Sequence, residues 1–340
     1  GLPSLSYFEG YTDELRSTGG ARSLFDTDLH RPMEAVGANM RPRSRIAQTT
    51  KMPQDNGSQE GERSAASRLL RRMGLRPRKG LGQHFLVSPG VLEHIADAAD
   101  IDSKDTVVEI GPGLGALTEV LARRASQVVA LELDDELAAA LKHVFADQPH
   151  VEIMHGDATK TDINELVPES KQYKLVANLP YYIATAIIRR FLEAPHKPRI
   201  IVVTVQKEVA LSMAAPEGKT GLLGVATQFY GKPKIMGTIR PGSFYPPPKV
   251  TSAVLRIDVH PTPPIQVSNE RGFFTLVRAG FSAPRKQLKG VLSQALGIPG
   301  DDVKRVLASV GVDWKRRAET LTLDEWGALY SEGEVEGWQG

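Results

Sequence analysis

Asn178, Leu179, Pro180 and Tyr181 stand in sequence as an amide, a main-chain carbonyl, a rigid ring and an aromatic face. The Asn178 amide oxygen and the Leu179 carbonyl, held by Pro180, can both accept from one amino group, while Tyr181 can lie flat on an aromatic ring. The exocyclic amine of an adenine is a poor nucleophile, because its lone pair is conjugated into the ring. Two acceptors pull such an amine toward tetrahedral geometry and localise the pair. The constellation suits methylation of that amine.

A second constellation lies upstream. In Glu109-Ile-Gly-Pro-Gly-Leu-Gly115 the glycines, Gly111 and Gly113 among them, let the backbone turn sharply and approach a ligand, and a following helix would offer free N–H groups. The spacing is G-x-G-x-G, not the G-x-G-x-x-G of dinucleotide folds, and no G-x-x-x-x-G-K-[ST] occurs, so a phosphate cradle is not the first choice. Such a turn also occurs as plain tight packing. Glu132 closes the next apolar run, where a carboxylate can accept both hydroxyls of a ribose or stand as a solvated acid. Asp157 and Ala158 follow the third run; the acid can accept from an exocyclic amine, with the small Ala158 leaving room for a ring, or it can cap a helix. Three polar strand ends in succession describe a nucleoside site at the carboxyl edge of an open α/β sheet.

The elements that must carry these residues follow from periodicity. From Gly80 onward short apolar runs alternate with helical patterns, the mark of βαβ units and a mainly parallel sheet. Strands are expected at 106–110, 128–133, 151–154, 174–177, 200–205 and 252–259. Helices are expected at 91–99, behind the Ser88 cap and Pro89, and at 114–124, 136–145 and 185–192. After Pro261, Pro263 and Pro264 the pattern turns helical to Tyr330, broken by Gly297, Gly300 and Gly311 into three or four short helices. The expected architecture is a Rossmann-like α/β catalytic domain of seven strands over residues 76–264, a helical domain over 265–330 and an acidic tail over 331–340. Residues 1–75 lack sustained periodicity and read as a disordered leader. With Gly1 at the start and Met73 just ahead of the first motif, an over-extended gene start is preferred to a basic tail.

Composition narrows the chemistry. The 340 residues contain no cysteine, which removes disulfides, thiolate metal sites and cysteine nucleophiles. No apolar run reaches eighteen residues, so no membrane span is expected. His94, His143, His150, His155, His196 and His260 show no metal-ligand spacing, and no metal is expected. The net charge of +2 hides segregation: residues 80–190 carry seventeen acids against nine bases, and residues 191–317 nineteen bases against eight acids. Such a block can mark a nucleic-acid-facing surface, although charge runs are more often solvated faces. Trp314 and Trp326 are expected to pack the C-terminal helices.

The Asn178–Tyr181 box resembles the N-[LI]-P-[YF] box of adenine methyltransferases acting on ribosomal RNA. The likeness extends over nearly all of residues 76–330. Lys79-Gly-Leu-Gly-Gln-His-Phe-Leu86, Gln206-Lys-Glu-Val-Ala210, Phe244-Tyr-Pro-Pro-Pro-Lys-Val250 with Ser252, and Phe281-Ser-Ala-Pro-Arg-Lys-Gln-Leu288 are similar to further boxes of the ribosomal RNA adenine dimethyltransferases, in that family's order. Thr251 stands where many members have an acid, and Ala283-Pro284 replaces a more polar pair.

The resemblance implies an S-adenosylmethionine-dependent enzyme in which His84, Leu86, Gly111, Gly113, Glu132, Asp157, Ala158 and Asn178 bind the cofactor. Asn178 would also meet the target amine, with Tyr181 and Phe244 stacked around the adenine. It implies dimethylation of two adjacent adenosines in the 3′-terminal hairpin of small-subunit ribosomal RNA, a step of subunit biogenesis, by a cytoplasmic enzyme expected to be monomeric. Two other readings are methylation of a large-subunit adenosine, as in the macrolide-resistance relatives, and a non-catalytic RNA-binding assembly factor. The proline segment 244–250 favours the small subunit, and the intact Asn178, Pro180, Tyr181, Glu132 and Asp157 favour catalysis. RNA backbone contact is expected from Lys249, Arg278, Arg285, Lys286 and Lys289, with Arg278, Arg285 and Lys289 on one face of a helix over 273–292.

Overall fold

A computed structural model describes residues 82–338, together with 66–67, 70–71 and 76–78. In chain order the elements are β1 (Phe85–Leu86), α1 (Pro89–Ala98), β2 (Thr106–Ile110), α2 (Ala116–Ala122), β3 (Gln127–Glu132), α3 (Asp135–Val144), β4 (Val151–His155), α4 (Ile163–Leu166), β5 (Lys174–Asn178) and α5 (Ala184–Glu193). There follow β6 (Ile200–Gln206), α6 (Lys207–Met213), α7 (Leu222–Tyr230), β7 (Gly231–Ile239), β8 (Phe244–Tyr245), β9 (Ser252–Val259), α8 (Glu270–Phe281), α9 (Leu288–Leu296), α10 (Gly300–Ser309) and α11 (Leu323–Val335). Among the described residues no helix is long and apolar enough to cross a membrane.

The seven-stranded sheet runs β4-β3-β2-β5-β6-β9-β7, and β1 pairs separately with β8. β4, β3, β2, β5 and β6 are parallel; β9 and β7 close one side antiparallel. All five residues of β2 are buried, as are six of the seven in β6, which explains why these strands read as unbroken apolar runs. The chain leaves β2 for β3 on one side and later returns to add β5 on the other. Connections therefore diverge at the carboxyl ends of β2 and β5, and a crevice opens there.

Three features depart from the sequence reading. β7 is an unforeseen nine-residue strand: it begins Gly231-Lys-Pro-Lys, and a bulge interrupts its register between Ile235 and Gly237. As the last strand of the sheet it tolerates a proline that an interior strand would exclude. The helix expected over 273–292 is two helices, because α8 ends at Phe281 and α9 begins at Leu288. Pro284, which has no N–H to give, sits in the intervening turn, so the shared-face argument for Arg278, Arg285 and Lys289 fails. Most of the expected leader lies outside the described residues. Its described part, Ala66, Ser67, Leu70 and Arg71, is helical, and Leu70 packs buried with Phe85 and Leu137.

Helices α8 to α11 continue the apolar interior. Phe273 and Phe274 of α8 lie 5.3 and 5.1 Å from Phe229 of α7, ring centre to ring centre. Trp326 of α11 is fully buried, and a Cβ on Gly280 would come within 2.4 Å of its ring, which is why α8 carries a glycine there. A capping box between Thr322 and Glu325 starts α11.

Candidate active site

The turn after β2 is built from glycines in left-handed conformation, with φ of +69° at Gly111, +58° at Gly113 and +78° at Gly115. A Cβ on Gly113 would stand 2.9 Å from the Phe85 ring, and one on Gly115 2.7 Å from Leu141. At Gly111 a Cβ would meet nothing within 4 Å, so that stretch of main chain faces the open cleft. The Gly111 N–H donates to the Leu131 carbonyl (2.9 Å), which ties the turn to β3.

Glu132 ends β3 beneath this turn and is 6% exposed. Its carboxylate accepts from the N–H groups of Gly113 and Asp134, each at 3.0 Å. Burial raises its pKa above the ordinary carboxylate value, and the two N–H donors oppose that shift. Glu109, near the end of β2, is 1% exposed with Oε2 unpartnered; burial pushes its carboxyl up to about 8, and the charge of Glu132 acts in the same direction.

Asn178 ends β5 on the other side of the crevice. Its Nδ2 donates to the His84 carbonyl (3.0 Å), and its Oδ1 accepts from the Thr204 hydroxyl (2.5 Å). Thr204 is the register partner of Asn178 on β6 and fully buried. The amide is thus held at both ends, leaving one lone-pair direction of Oδ1 for a ligand. His84 is itself fixed: its Nδ1 lies 2.7 Å from the Pro246 carbonyl, and its ring stacks on Tyr181 at 5.9 Å. The Tyr181 hydroxyl meets Ser252 Oγ at 2.5 Å, and burial raises its pKa.

One open cleft is lined by Gly82, Gln83, His84, Phe85, Gly111, Gly113, Glu132 and the run Asn178, Leu179, Pro180, Tyr181. Four of the residues expected at the cofactor and the target base lie outside this lining. Leu86 and Phe244 are register partners in the β1–β8 pair, 5% and 1% exposed, so the Phe244 ring belongs to the core and offers no free face to a base. Asp157 is turned into a local loop, where Oδ1 accepts from the Thr159 N–H (2.9 Å) and hydroxyl (2.7 Å), close to the capping alternative. Ala158 follows it. Lys249 is exposed; Arg278 is half-buried and donates to Thr275 Oγ1 at 2.9 Å. Arg285 and Lys286 are exposed in the turn before α9, and Lys289 pairs with Asp301 at 3.1 Å.

Sequence reasoning assigned nothing to Thr204 or Asp134 and gave Gln83 no role beyond its place in the Lys79–Leu86 box. The one signal for Thr204 was a lone hydroxyl inside the apolar run of β6. Asp134 caps α3 through its side chain and binds Arg78 at 3.1 Å, anchoring the segment that leads into the cleft.

The sheet order, the glycine turn and the acid at the end of β3 define a Rossmann-like α/β sheet with a nucleoside-type cleft at its carboxyl edge. The sequence profile described as "Ribosomal RNA adenine dimethylase" matches residues 74–332, and the chain belongs to that family. It is similar to a protein named "Ribosomal RNA small subunit methyltransferase A" from Dehalococcoides mccartyi, 49% identical over 255 residues, 75% of this chain and 88% of the relative. A protein of the same name from Moorella thermoacetica is 42% identical, over 77% of this chain and 94% of that one. Among solved structures, a dimethyladenosine transferase from Plasmodium falciparum superposes with a TM-score of 0.65 at 25% identity, covering 75% of this chain and 99% of that one. The 23S rRNA methyltransferase ErmE superposes with a TM-score of 0.60 at 26% identity, covering 73% and 98%.

Proposed function

We propose that this chain dimethylates the N6 amines of two adjacent adenosines in the 3′-terminal hairpin of small-subunit ribosomal RNA, using S-adenosylmethionine, as a step of subunit biogenesis in the cytoplasm. The observation that carries the reading is the doubly held Asn178 amide, presented to the same cleft as the glycine turn and Glu132. The names of the relatives at 42–49% identity support the small subunit as substrate. The likeness to ErmE keeps a large-subunit adenosine as a competing outcome.

The cleft fits the cofactor. Bare main chain at Gly111 admits a close ligand, and each Glu132 oxygen keeps a lone pair for a ribose hydroxyl beside the N–H it already accepts. When bound, S-adenosylmethionine supplies an electrophilic methyl on a sulfonium. Asn178 Oδ1 and the Leu179 carbonyl would accept from the adenine amine, pulling it toward tetrahedral geometry and localising the lone pair that would take the methyl from the sulfonium, leaving a neutral thioether. The surplus amine proton leaves to water. Tyr181, braced by His84 and Ser252, holds the base flat. Catalysis comes from positioning and from acceptors that strengthen as the amine pyramidalises. Lys249, Arg285, Lys286 and Lys289 are assigned to the RNA backbone.

The test is mass mapping of methylated adenosines after incubation with small- and large-subunit RNA. Dimethyladenosine in the small-subunit hairpin supports the proposal; modification of large-subunit RNA alone overturns the substrate. Asn178→Ala should lower turnover about a hundredfold or more, by analogy with other positioned hydrogen-bonding groups. Near-normal turnover would remove Asn178 from the mechanism.

A further inference from the structure

Trp314 occupies the loop between α10 and the 3-10 turn Ala318–Thr320 and is half-buried. Three ammonium groups converge on its indole: Lys289 Nζ at 5.7 Å from the ring centre, Lys304 at 5.5 Å and Lys315 at 5.3 Å. They come from three places in the chain, namely the first turn of α9, the middle of α10 and the loop itself. The loop is fastened to α9, since the Lys289 N–H donates to the Trp314 carbonyl (3.3 Å) and the Leu288 N–H to the Arg316 carbonyl (2.8 Å). Arg285 and Lys286 stand exposed in the turn just before α9.

The facing carboxylates do not balance this charge. Asp301 pairs with Lys289 and also feels Lys304, and Asp313 accepts from the main chain of Lys315 and faces Arg316. Among the described residues Lys304 and Lys315 have no carboxylate within the 4.0 Å of an ion pair. Ammonium groups gathered at one ring repel each other, and the negative face of the indole offsets that repulsion. The ring therefore holds the three lysines converged. With ammoniums crowded about the indole, a nucleobase would have to displace them to stack, whereas a chain of phosphates meets them as they stand.

We propose that Trp314 is the hub of the RNA-backbone surface, in which Lys289, Lys304 and Lys315, continued by Arg285 and Lys286, grip a run of phosphodiesters. The proposal rests on the reading of this chain as a ribosomal RNA methyltransferase. It adds Trp314, Lys304 and Lys315 to the RNA-contacting surface and gives the tryptophan an organising role.

The experiment measures binding of a small-subunit ribosomal RNA transcript to the full chain across a range of KCl concentrations. Lys304→Gln with Lys315→Gln should flatten the slope of log affinity against log salt by about 1.4 to 1.8, the counterions released by two phosphate contacts. Trp314→Leu, which keeps apolar bulk and removes the aromatic face, should weaken binding about threefold to tenfold, and Trp314→Phe should restore most of it. Melting temperature and calorimetric affinity for S-adenosylmethionine should stay at the wild-type values in the lysine pair. Lys104→Gln with Lys142→Gln, an exposed pair in the acidic half, is the charge-matched control. A wild-type salt slope in the Lys304/Lys315 variant, or an equal loss in the control pair, would overturn the site. Full RNA affinity in Trp314→Leu would overturn the hub. A wild-type chain that binds the RNA but transfers no methyl group would overturn the proposed activity and leave the site standing.

Discussion

Held between a carbonyl and a hydroxyl, Asn178 depends on a neighbour that touches no substrate. The His84 carbonyl, which can only accept, fixes which end of the amide donates, and Thr204 anchors the Oδ1 end, so Thr204→Val should loosen the amide. Losing one such hydrogen bond corresponds to about 0.5–1.5 kcal/mol, or roughly threefold to tenfold in turnover. KM for S-adenosylmethionine should change less than kcat, and Thr204→Ser should recover the loss; a serine variant as slow as the valine variant would make Thr204 a packing residue only. Glu109 makes a different kind of prediction. Between about pH 4.5 and 8 its carboxyl ionises in the unfolded chain but keeps its proton in the folded one. The folded state then binds more protons, so stability falls as pH rises through that window. Glu109→Gln should flatten this decline in denaturant melts, leaving the smaller part due to Glu132; parallel curves for the two proteins would show that Glu109 ionises normally. Asn178, Tyr181 and Glu132 were legible in sequence because motif and strand end coincide. Thr204 was not, because its partner is set by register between strands, and the displacement of Phe244 into the core is a matter of tertiary packing.

Among the elements, β5 is anchored at its opposite end by Lys174, 2% exposed, whose ammonium donates to the Asp100 carbonyl (2.6 Å) and to Asp105 (2.7 Å). Removing one partner of a buried pair leaves the other desolvated and unpaired. Lys174→Met should therefore cost about 3 kcal/mol, read as a lower urea midpoint, with the cleft intact at the far end of the strand. An unchanged midpoint would mean that Arg199, 3.3 Å from Asp105, suffices alone. The parallel strands could be read from their apolar runs, whereas β7 could not, since an edge strand with glycine, proline and lysine carries no period. The break between α8 and α9 was missed because helical spacing on both sides of Pro284 looks continuous when turn chemistry is passed over.

Across the whole molecule the packed structure begins earlier than periodicity suggested. Leu70 is 3% exposed against Phe85, whose ring in turn lies against the Gly113 turn. Leu70→Ala should lower the melting temperature, since such core truncations remove about 2–5 kcal/mol, and should weaken S-adenosylmethionine binding through Phe85. Calorimetry on the full chain checks the second effect; unchanged cofactor affinity would confine Leu70 to stability. Charge segregation was legible at this scale from counting alone. Its focus on Trp314 was not, because Lys289, Lys304 and Lys315 are brought together by three separate pieces of chain.

The outer edge of β7 bears on how copies of this molecule meet one another. A long, flat strand edge is a template on which a second chain can add hydrogen bonds and build an extended sheet. Here that edge carries Pro233, which has no N–H to offer an incoming strand, between the exposed Lys232 and Lys234, and the bulge at Ile235 and Gly237 shifts the remainder of the strand out of register. The irregularities that hid β7 from a reading of periodicity are the ones that keep the sheet from growing past its seventh strand.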